Sequence, residues 1–524
     1  MTAELKPIAH RCKHYADLAA LSREIATLTA VSSLVGWDQE TYMPESGAAG
    51  RAEQLSLLSG IAHERKTAAR YGELLAACEQ DATLNVPGTV EAANIRELRR
   101  DYDLATKLPT SLVSELARTT SLAQDAWKHA RAKSDFPAFA PLLSQVLDLT
   151  RRKAECYGIP SFASPAGGSP RKGELYDALL GEYEPGISAA EIETIFTPLQ
   201  GRLSRLVAEI TASSTQPSAS CTELGMSVDQ QHALALDVLK AMGFDLAAGR
   251  LDRTAHPFCS GMGPGDTRLT TRYTSASFLE PLASTLHEMG HGLYEQGLPK
   301  FESFGLPVAD AVSLGIHESQ SRMWENFVGR SQEFCSFLLP HVQRHFGAAA
   351  SGLTARALFE ASNTVERSFI RVESDEATYN LHIMLRFGIE RELISGRLAV
   401  KDLPGEWNAR FKALLGLDVP SDAKGCLQDV HWSFGLIGYF PTYTLGNLYA
   451  AQIWETINAR IPDLAQRIGR GDFAPLLAFL RENIHQHGRR YSATELCARI
   501  TGKPLSADPL MRYLEGKLRP LYRI

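Results

Sequence analysis

The sequence predicts a predominantly α-helical protein with a small β-sheet. Long segments carry apolar side chains every three or four positions, which is the spacing of one face of a helix. Segments with strand character are few and short. The composition, 44% hydrophobic and 22% charged, is that of a globular protein and excludes a disordered or fibrous one.

The predicted elements follow in order along the chain, and the first helix has its apolar stripe on Tyr15, Leu18, Leu21, Ile25, Leu28 and Val31. The same spacing predicts helices near 88–134, 140–158, 189–213, 228–244, 352–395, 443–460 and 473–486. The clearest strand, 267–273, is rich in threonine and follows a Gly-Pro-Gly-Asp turn signal. A shorter strand is expected through 257–259.

Charge and cysteine usage narrow the class of protein. The formal net charge of −6 argues against a nucleic-acid binder, which usually carries a basic stripe. No stretch reaches the ~18 uninterrupted apolar residues that span a bilayer, so no membrane partner is expected. The eight cysteines are scattered without a C-x-x-C pair, and the N-terminus shows no export signal. We therefore expect reduced thiols and a cytoplasmic location.

The strongest chemical signal is the segment 287–291, which reads H-E-x-x-H. On a helix, His287 and His291 share one face and can bind one zinc ion, while Glu288 acts as general base on zinc-activated water. Gly290 and Gly292 each cost roughly 1 kcal/mol in a helix relative to alanine. We expect another part of the chain to approach the helix backbone closely at these two glycines.

A catalytic zinc site needs a third protein ligand and an open fourth position. No third histidine follows at the spacing of metzincins, so a carboxylate on a following helix is expected. Glu318 is favoured, because it shares a segment with His317 and Ser319 that a surface helix would not need. Arg322 can also pair with it one turn later. Glu325 on the same helix is the rival ligand, and Glu302 lies nearer in sequence but in a Pro/Gly-rich connection.

Six motifs in one order resemble the carboxypeptidase Taq family of zinc carboxypeptidases, and the resemblance covers nearly the whole chain. They are Gly36–Pro44, His256-Pro257-Phe258, Asp266–Thr270, His287–His291 followed by His317-Glu318-Ser319-Gln320, Ile370–Asp375, and Gly425–Trp432. One departure is Ser374, where the family usually has alanine.

The resemblance implies a saddle-shaped helical metallopeptidase with a deep groove, and usually a homodimer. It implies peptide substrates with a free C-terminus, which lose single residues. The implied ligands of one zinc ion per chain are His287, His291 and Glu318, with Glu288 as general base, and we expect that cobalt can replace zinc. We expect one peptidase unit over 1–524, with a helical scaffold and groove wall in 1–250 and the zinc-binding catalytic core in 251–524.

Further site residues follow from the resemblance and from the chemistry of amide hydrolysis. His256 and Arg268 are similar to residues that close one end of the groove, and Arg371 resembles the residue that holds the terminal carboxylate. A planar guanidinium suits that task better than an ammonium group. Arg371 is expected on a helix over 366–390, where Asp375 could orient it; the alternative for this helix is a solvated amphipathic face.

The oxyanion that forms during hydrolysis needs hydrogen-bond donors besides zinc. His431, Tyr439 and Tyr443 supply an imidazole and two phenols, although packing in the core is the alternative for each of them.

Two other functions stay open at the level of sequence. An oligopeptidase or dipeptidyl carboxypeptidase shares the zinc core but cuts deeper into the peptide. A non-catalytic metal-binding or peptide-binding protein keeps the fold without hydrolysis, but such a protein has no use for Glu288 as a base.

Overall fold

The computed structural model describes residue 8 and residues 10–162, 169–274 and 276–524. Helices dominate this part of the chain, which confirms the predicted fold class. The α-helices are α1 (Lys13–Thr41), α2 (Ala48–Thr67), α3 (Ala69–Gln80), α4 (Val90–Lys107), α5 (Thr110–Lys133), α6 (Phe136–Tyr157), α7 (Leu175–Leu180), α8 (Ala189–Ala212), α9 (Val228–Ala241), α10 (Leu279–Gly297), α11 (Lys300–Ser303), α12 (Leu314–Arg322), α13 (Gln332–Phe346), α14 (Ala355–Ser362), α15 (Tyr379–Ser395), α16 (Leu403–Leu415), α17 (Pro441–Arg460), α18 (Leu464–Gly469), α19 (Ala474–Asn483), α20 (Ala493–Thr501) and α21 (Asp508–Tyr522).

The strands form two small sheets. The first is an antiparallel pair of β1 (Ser161–Phe162) and β2 (Arg171–Lys172). The second has the order β3-β5-β4, and its strands are β3 (Gly249–Arg253), β4 (Cys259–Gly263) and β5 (Asp266–Thr271). The middle strand β5 runs parallel to β3 and antiparallel to β4. The predicted strand 267–273 is therefore confirmed as β5, and the shorter one begins at Cys259.

The chain folds as two compact units, each built from three separate segments. The first unit contains the described residues of 1–106, 218–362 and 453–503. The second unit contains those of 107–217, 363–452 and 504–524. The predicted division into a helical scaffold and groove wall in 1–250 and a catalytic core in 251–524 stays a prediction.

Two predicted helices are interrupted. The helix expected over 88–134 is broken between α4 and α5, where Pro109 precedes the new helix. The helix expected over 352–395 is absent between α14 and α15, so the helix predicted over 366–390 is wrong for its first half. Arg371 instead begins a 3-10 helix that ends at Glu373.

Asp375 explains why α15 begins late. Its carboxylate accepts hydrogen bonds from the backbone N–H groups of Ala377 and Thr378 at 2.8 and 3.1 Å. It also accepts one from the backbone N–H of Glu366, so the chain turns here rather than continuing as a helix. Asp375 is thus a turn residue, and its predicted role in orienting Arg371 is wrong.

Helix α10 lies between the three-stranded sheet and α12. A Cβ atom built on Gly290 would lie 2.5 Å from the carbonyl oxygen of Gln320, in the backbone of α12. One built on Gly292 would lie 2.8 Å from Leu269 of β5. Close approach at both glycines agrees with the sequence prediction, and at Gly290 the neighbour is backbone, which cannot move aside as the end of a side chain can. This packing fixes the sheet on one side of the helix and α12 on the other.

Helices α1 and α2 present an apolar surface in the first unit. Helix α1 is long and apolar enough to cross a membrane by length and composition alone, and only 17% of its apolar window is buried. A soluble core helix passes the same test, and Tyr15 and Leu18 do pack into the core. Within Ala48–Thr67, all of which the structure describes, no side chain is buried.

Candidate metal centre and active site

Three side chains of the first unit converge as candidate metal ligands. The Nε2 atoms of His287 and His291 lie 3.7 and 3.5 Å from Oε2 of Glu318. One ligand atom from each of the three lies within 4.8 Å of the others. Donors held at zinc distances on a tetrahedral ion are about 3.3 Å apart, so the three residues fit a zinc ion with a small inward adjustment.

Helix geometry brings these residues together. His287 and His291 are one turn apart on α10, and Glu318 is on α12, whose backbone approaches α10 at Gly290. Ser313 begins α12 by accepting a hydrogen bond from the backbone N–H of Ile316. The close crossing of two helices therefore brings Glu318 to the two histidines, and its role as third ligand stays a prediction.

Glu318 is held as a carboxylate. Arg322 donates to its Oε1 at 2.7 Å, and the Ser321 hydroxyl donates to its Oε2 at 3.2 Å. Burial raises the pKa of Glu318, but the charge of Arg322 opposes burial, and the pKa is held well below its usual value. The ionised oxygen Oε2 faces the two imidazoles.

Glu325, the rival ligand, instead orients His287. It lies in a π-helical turn, Met323–Val328, that continues α12. Its Oε2 is 2.8 Å from Nδ1 of His287 and accepts from Arg322 at 3.1 Å. A carboxylate only accepts, so Nδ1 of His287 carries the proton and Nε2 keeps its lone pair for a metal.

Glu288 differs from Glu318 in its surroundings. It is buried on α10 between the two histidines, and burial raises its pKa to about 7. A carboxylate with a pKa near the working pH can both take up and release a proton. Its position in the helix and this pKa suit the predicted role of general base.

Arg268 and His256 belong to the first unit. Arg268, on β5, donates from Nε and Nη2 to Asp266 at 2.9 and 2.8 Å. Its guanidinium carbon lies 4.4 Å from the ring centre of Trp37, with Arg250 over the same ring at 5.2 Å. His256 is exposed on the turn between β3 and β4.

Arg371 lies in a buried cluster of the second unit. Its Nε and Nη2 contact Oδ1 of Asp429 at 3.0 and 2.9 Å, and its Nη1 donates to the hydroxyl of Tyr379 at 3.0 Å. Arg386 shares Asp429, donating from Nε to Oδ2 at 2.7 Å. Two guanidinium groups thus face one carboxylate. Asp429, and not Asp375, orients Arg371.

His431, Tyr439 and Tyr443 are neighbours in this second unit. The hydroxyl of Tyr443 is 3.5 Å from Nε2 of His431, and the two tyrosine rings are 5.4 Å apart. Burial lowers the pKa of His431 to about 4, so the imidazole is neutral at neutral pH. A neutral imidazole and two phenols are able to donate hydrogen bonds without adding charge.

Sequence reasoning missed several partners of these residues. Asp429 lies inside the motif 425–432, and its position there is the signal that could have indicated a role. Arg386 and Tyr379 carry no local signal, because their contacts with Arg371 and Asp429 depend on tertiary packing. Glu295 follows His291 by four residues and so shares its helix face.

Two histidines and a glutamate that converge as candidate metal ligands, with a second glutamate beside them, are the side chains that zinc peptidases with an H-E-x-x-H helix use. The chain belongs to the carboxypeptidase Taq (M32) family of metallopeptidases, whose sequence model matches residues 17–518. It is a peptide hydrolase of the metallocarboxypeptidase class, and this family implies a divalent metal, for which the chain has a candidate site.

Named relatives and solved structures agree. The chain is 45% identical to Thermostable carboxypeptidase 1 of Thermus thermophilus over 97% of this chain and 99% of that protein. It is 34% identical to Carboxypeptidase 1 of Bacillus subtilis, over 96% and 97%. The crystal structure of the M32 carboxypeptidase from Deinococcus radiodurans R1 matches with a TM-score of 0.91 and 38% identity, over 98% and 100%.

Proposed function

We propose that this chain is a zinc carboxypeptidase that removes single amino acids from the free C-termini of peptides. The observation that carries the proposal is the convergence of His287, His291 and Glu318 beside the buried Glu288. A non-catalytic binder needs no buried carboxylate next to its ligands, so Glu288 favours hydrolysis over binding alone.

The residues divide the chemistry between them. When bound by the two histidines and Glu318, zinc supplies Lewis acidity, with cobalt as the expected substitute. Glu288 takes the proton of the attacking water on its carboxylate and passes it to the nitrogen of the leaving amine. His431, Tyr439 and Tyr443 are proposed as donors to the oxyanion of the tetrahedral species.

Arg371 is the proposed partner of the terminal carboxylate of the substrate. It shares one carboxylate with Arg386, so its cluster keeps an excess positive charge that favours a bound anion. Arg268 is the rival, and with Asp266 it forms a pair that is already neutral. In the proposal, Arg268 and His256 limit the length of peptide beyond the scissile bond.

The test uses one peptide in two forms, with a free C-terminus and with a C-terminal amide. We expect the free acid to be shortened by one residue at a time and the amide to be cut at least ~100-fold more slowly, because the amide carries no negative charge to balance the excess positive charge of the Arg371 cluster. Mass spectrometry of the products reads both outcomes. Release of dipeptides, or equal cleavage of both forms, would favour a dipeptidyl carboxypeptidase or an oligopeptidase.

Removal of the metal completes the test. An exhaustively chelated preparation is expected to lose hydrolysis, and zinc or cobalt is expected to restore it. Full activity without metal contradicts the proposed chemistry.

The proposal extends to the setting of the protein. A second copy of the chain is the proposed partner, supported by the exposed apolar surface of α1 and α2. A cytoplasmic location, and no binding to nucleic acids or membranes, stay predictions.

A further inference from the structure

A buried chain of hydrogen bonds ends on the metal-ligand candidate His291. Nδ1 of His291 is 2.5 Å from Nδ1 of His317, and Nε2 of His317 is 2.9 Å from Oε1 of Glu295. Lys300 in turn donates to Oε2 of Glu295. The four residues come from three helices, because His291 and Glu295 are on α10, His317 is on α12 and Lys300 begins α11.

The direction of each bond follows from which groups can donate. A carboxylate that already accepts from Lys300 can only accept from His317, so the proton of neutral His317 sits on Nε2. Nδ1 of His317 is then an acceptor, and Nδ1 of His291 must carry a proton. The lone pair of His291 is left on Nε2, the atom that lies 3.5 Å from Glu318.

Packing holds the far end of this chain in place. The side chains of Glu295 and Lys300 are only 15% and 10% exposed. A Cβ atom built on Gly261 of β4 would lie 2.2 Å from Oε2 of Glu295 and 2.9 Å from Nζ of Lys300. The backbone of β4 therefore lies directly against the ion pair. A buried ion pair is expensive to maintain unless its groups find partners, and here both oxygens of Glu295 are engaged, one by His317 and one by Lys300.

Different side-chain contacts orient His287 and His291. His287 meets the carboxylate of Glu325 directly, whereas His291 reaches the carboxylate of Glu295 only through the imidazole of His317. No carboxylate can contact Nδ1 of His291 directly, because His317 occupies that side of the ring. The indirect arrangement gives Glu295 a task on the metal site although it does not touch any ligand.

We propose that Glu295, acting through His317, is a positioning residue for the metal site. It fixes the tautomer and the ring orientation of His291 so that Nε2 faces the metal. This inference rests on the proposed function only in taking His291 as a metal ligand. Partners of ligating histidines usually contribute about 10–100-fold to metal affinity, and that is the effect assigned to this chain.

The experiment measures zinc affinity by competition with a chromophoric chelator, using the full-length protein. His317→Leu is expected to weaken binding by about 10–100-fold. His317→Gln is expected to recover most of the loss, because its amide can accept from His291 and donate to Glu295. Glu97→Gln is the matched control: Glu97 is 14% exposed and its ion-pair partners are three arginines rather than any candidate ligand, so affinity should not change.

A double-mutant cycle separates an indirect role from general destabilisation. Glu295→Gln is expected to weaken zinc binding by about 10-fold in the wild-type background and not at all in the His317→Leu background. The unpaired Lys300 is present in both backgrounds, so its cost cancels. In the cobalt-substituted protein, the visible absorption bands are expected to change in His317→Leu and to be retained in Glu97→Gln.

The outcomes point in distinct directions. Equal losses from Glu295→Gln in both backgrounds, or full affinity in His317→Leu, overturn the inference while the proposed function stands. A wild-type protein that binds no zinc and hydrolyses no peptide overturns the proposed function as well. Thermal unfolding of the chelated variants identifies any that fail to fold, and the folded His317→Gln protein then carries the comparison.

Discussion

At the scale of single residues, two carboxylates near the candidate metal differ in what surrounds them. Arg322 is bonded to Glu318 and keeps it ionised, which suits a ligand. Burial dominates at Glu288 and raises its pKa to about 7, which suits a group that gains and loses a proton. The two glutamates therefore suit different tasks because their environments differ.

Substitution by glutamine separates these two tasks. Glu288→Gln is expected to lower kcat by several orders of magnitude with about one metal ion retained per chain, because an amide keeps the shape but accepts no proton. Glu318→Gln is expected to weaken metal binding instead. Metal analysis beside peptide hydrolysis checks both. Loss of metal from the first variant and retention in the second would reverse the two assignments.

Asp429 and Tyr379 hold the guanidinium of Arg371 in place. The effect of replacing Arg371 on peptide hydrolysis follows from these contacts. Arg371→Ala is expected to lower kcat/KM for free-acid peptides by at least ~100-fold and to narrow the gap to amidated ones. Arg371→Lys should recover little, since an ammonium group does not replace a planar fork. Arg386 still pairs with Asp429 in both variants, so no buried carboxylate is left alone.

Two matched variants serve as controls for Arg371. Tyr379→Phe removes one contact of the guanidinium and leaves its charge, so free-acid preference should persist. Arg268→Ala tests the rival directly. Retained preference in Arg371→Ala together with lost preference in Arg268→Ala would assign the carboxylate to Arg268.

The ligand residues were predictable because their pattern is local, whereas their partners were not. His287 and His291 share a helix face by spacing alone, and Glu318 follows on the next helix with Arg322 one turn away. The contact between His317 and Glu295 depends on where α10 crosses α12, which no local pattern encodes. The spacing of apolar residues around Arg371 fits a helix, so the sequence predicted one there. The carboxylate of Asp375 instead accepts a hydrogen bond from the backbone at this point, and the chain turns.

At the scale of secondary-structure elements, the crossing of α10 and α12 positions the third ligand. Gly290 allows it, since a Cβ atom there would lie 2.5 Å from the Gln320 carbonyl and 2.6 Å from Cα of Ser321. Gly290→Ala forces the helices apart and is expected to weaken zinc binding by at least ~10-fold. It should also lower the unfolding free energy by about 1–3 kcal/mol through overpacking. Chelator competition and thermal unfolding measure the two effects.

The control is another glycine in the interior of an α-helix, but with free space around it. Gly201 lies in α8, and a Cβ atom built there meets nothing within 4 Å. Gly201→Ala should therefore stabilise the protein by up to ~1 kcal/mol through helix propensity and leave zinc affinity unchanged. Equal behaviour of the two variants would show that close approach at Gly290 is not what holds Glu318.

Glu390 ties three parts of the second unit to α15. Its carboxyl accepts from Tyr176 of α7 at 2.8 Å, from the indole of Trp432 at 2.9 Å and from the backbone N–H of Gly438 at 3.1 Å. Burial raises its pKa from 4.5 to about 7. Because the pKa of Glu390 is raised in the folded state, folding favours the protonated carboxyl. Its contribution to the unfolding free energy is therefore complete below the unfolded pKa and is lost as the pH rises through about 7.

Glu390→Gln should flatten this pH dependence. Between pH ~5 and ~8 the wild type is expected to lose about 2–3 kcal/mol of unfolding free energy that the variant does not lose, because glutamine does not titrate. Denaturant unfolding of both chelated proteins at the two pH values gives the difference, in which all other titrating groups cancel. Parallel curves for the two proteins would contradict the raised pKa of Glu390.

At the scale of the whole molecule, the segments of the chain alternate between the two units. The candidate ligands lie in the first unit, and Arg371, His431, Tyr439 and Tyr443 lie in the second. Local periodicity predicts helices but not which helices share a core, so the exchange of segments at 106, 217, 362, 452 and 503 was beyond sequence reasoning. Six ordered motifs nevertheless indicated the family, because each motif is short and local.

The proposed homodimer makes a prediction about α1 and α2. Helix α1 packs against α2, and Val31, Leu34 and Leu57 are 42%, 40% and 65% exposed. A second copy of the chain would cover this surface, and apolar surface removed from water contributes about 25 cal/mol per Å². Leu57→Glu places a charge in that interface and should raise the dimer dissociation constant by at least ~10-fold, since a charge buried without a partner costs several kcal/mol.

Sedimentation velocity over a range of protein concentrations measures this association. Leu122→Glu is the matched control, because Leu122 is 51% exposed on α5 of the second unit and should leave association unchanged. A dimer that survives Leu57→Glu but not Leu122→Glu would move the interface to the second unit. A monomeric wild type that floats with lipid vesicles would instead assign the apolar window of α1 to a membrane surface.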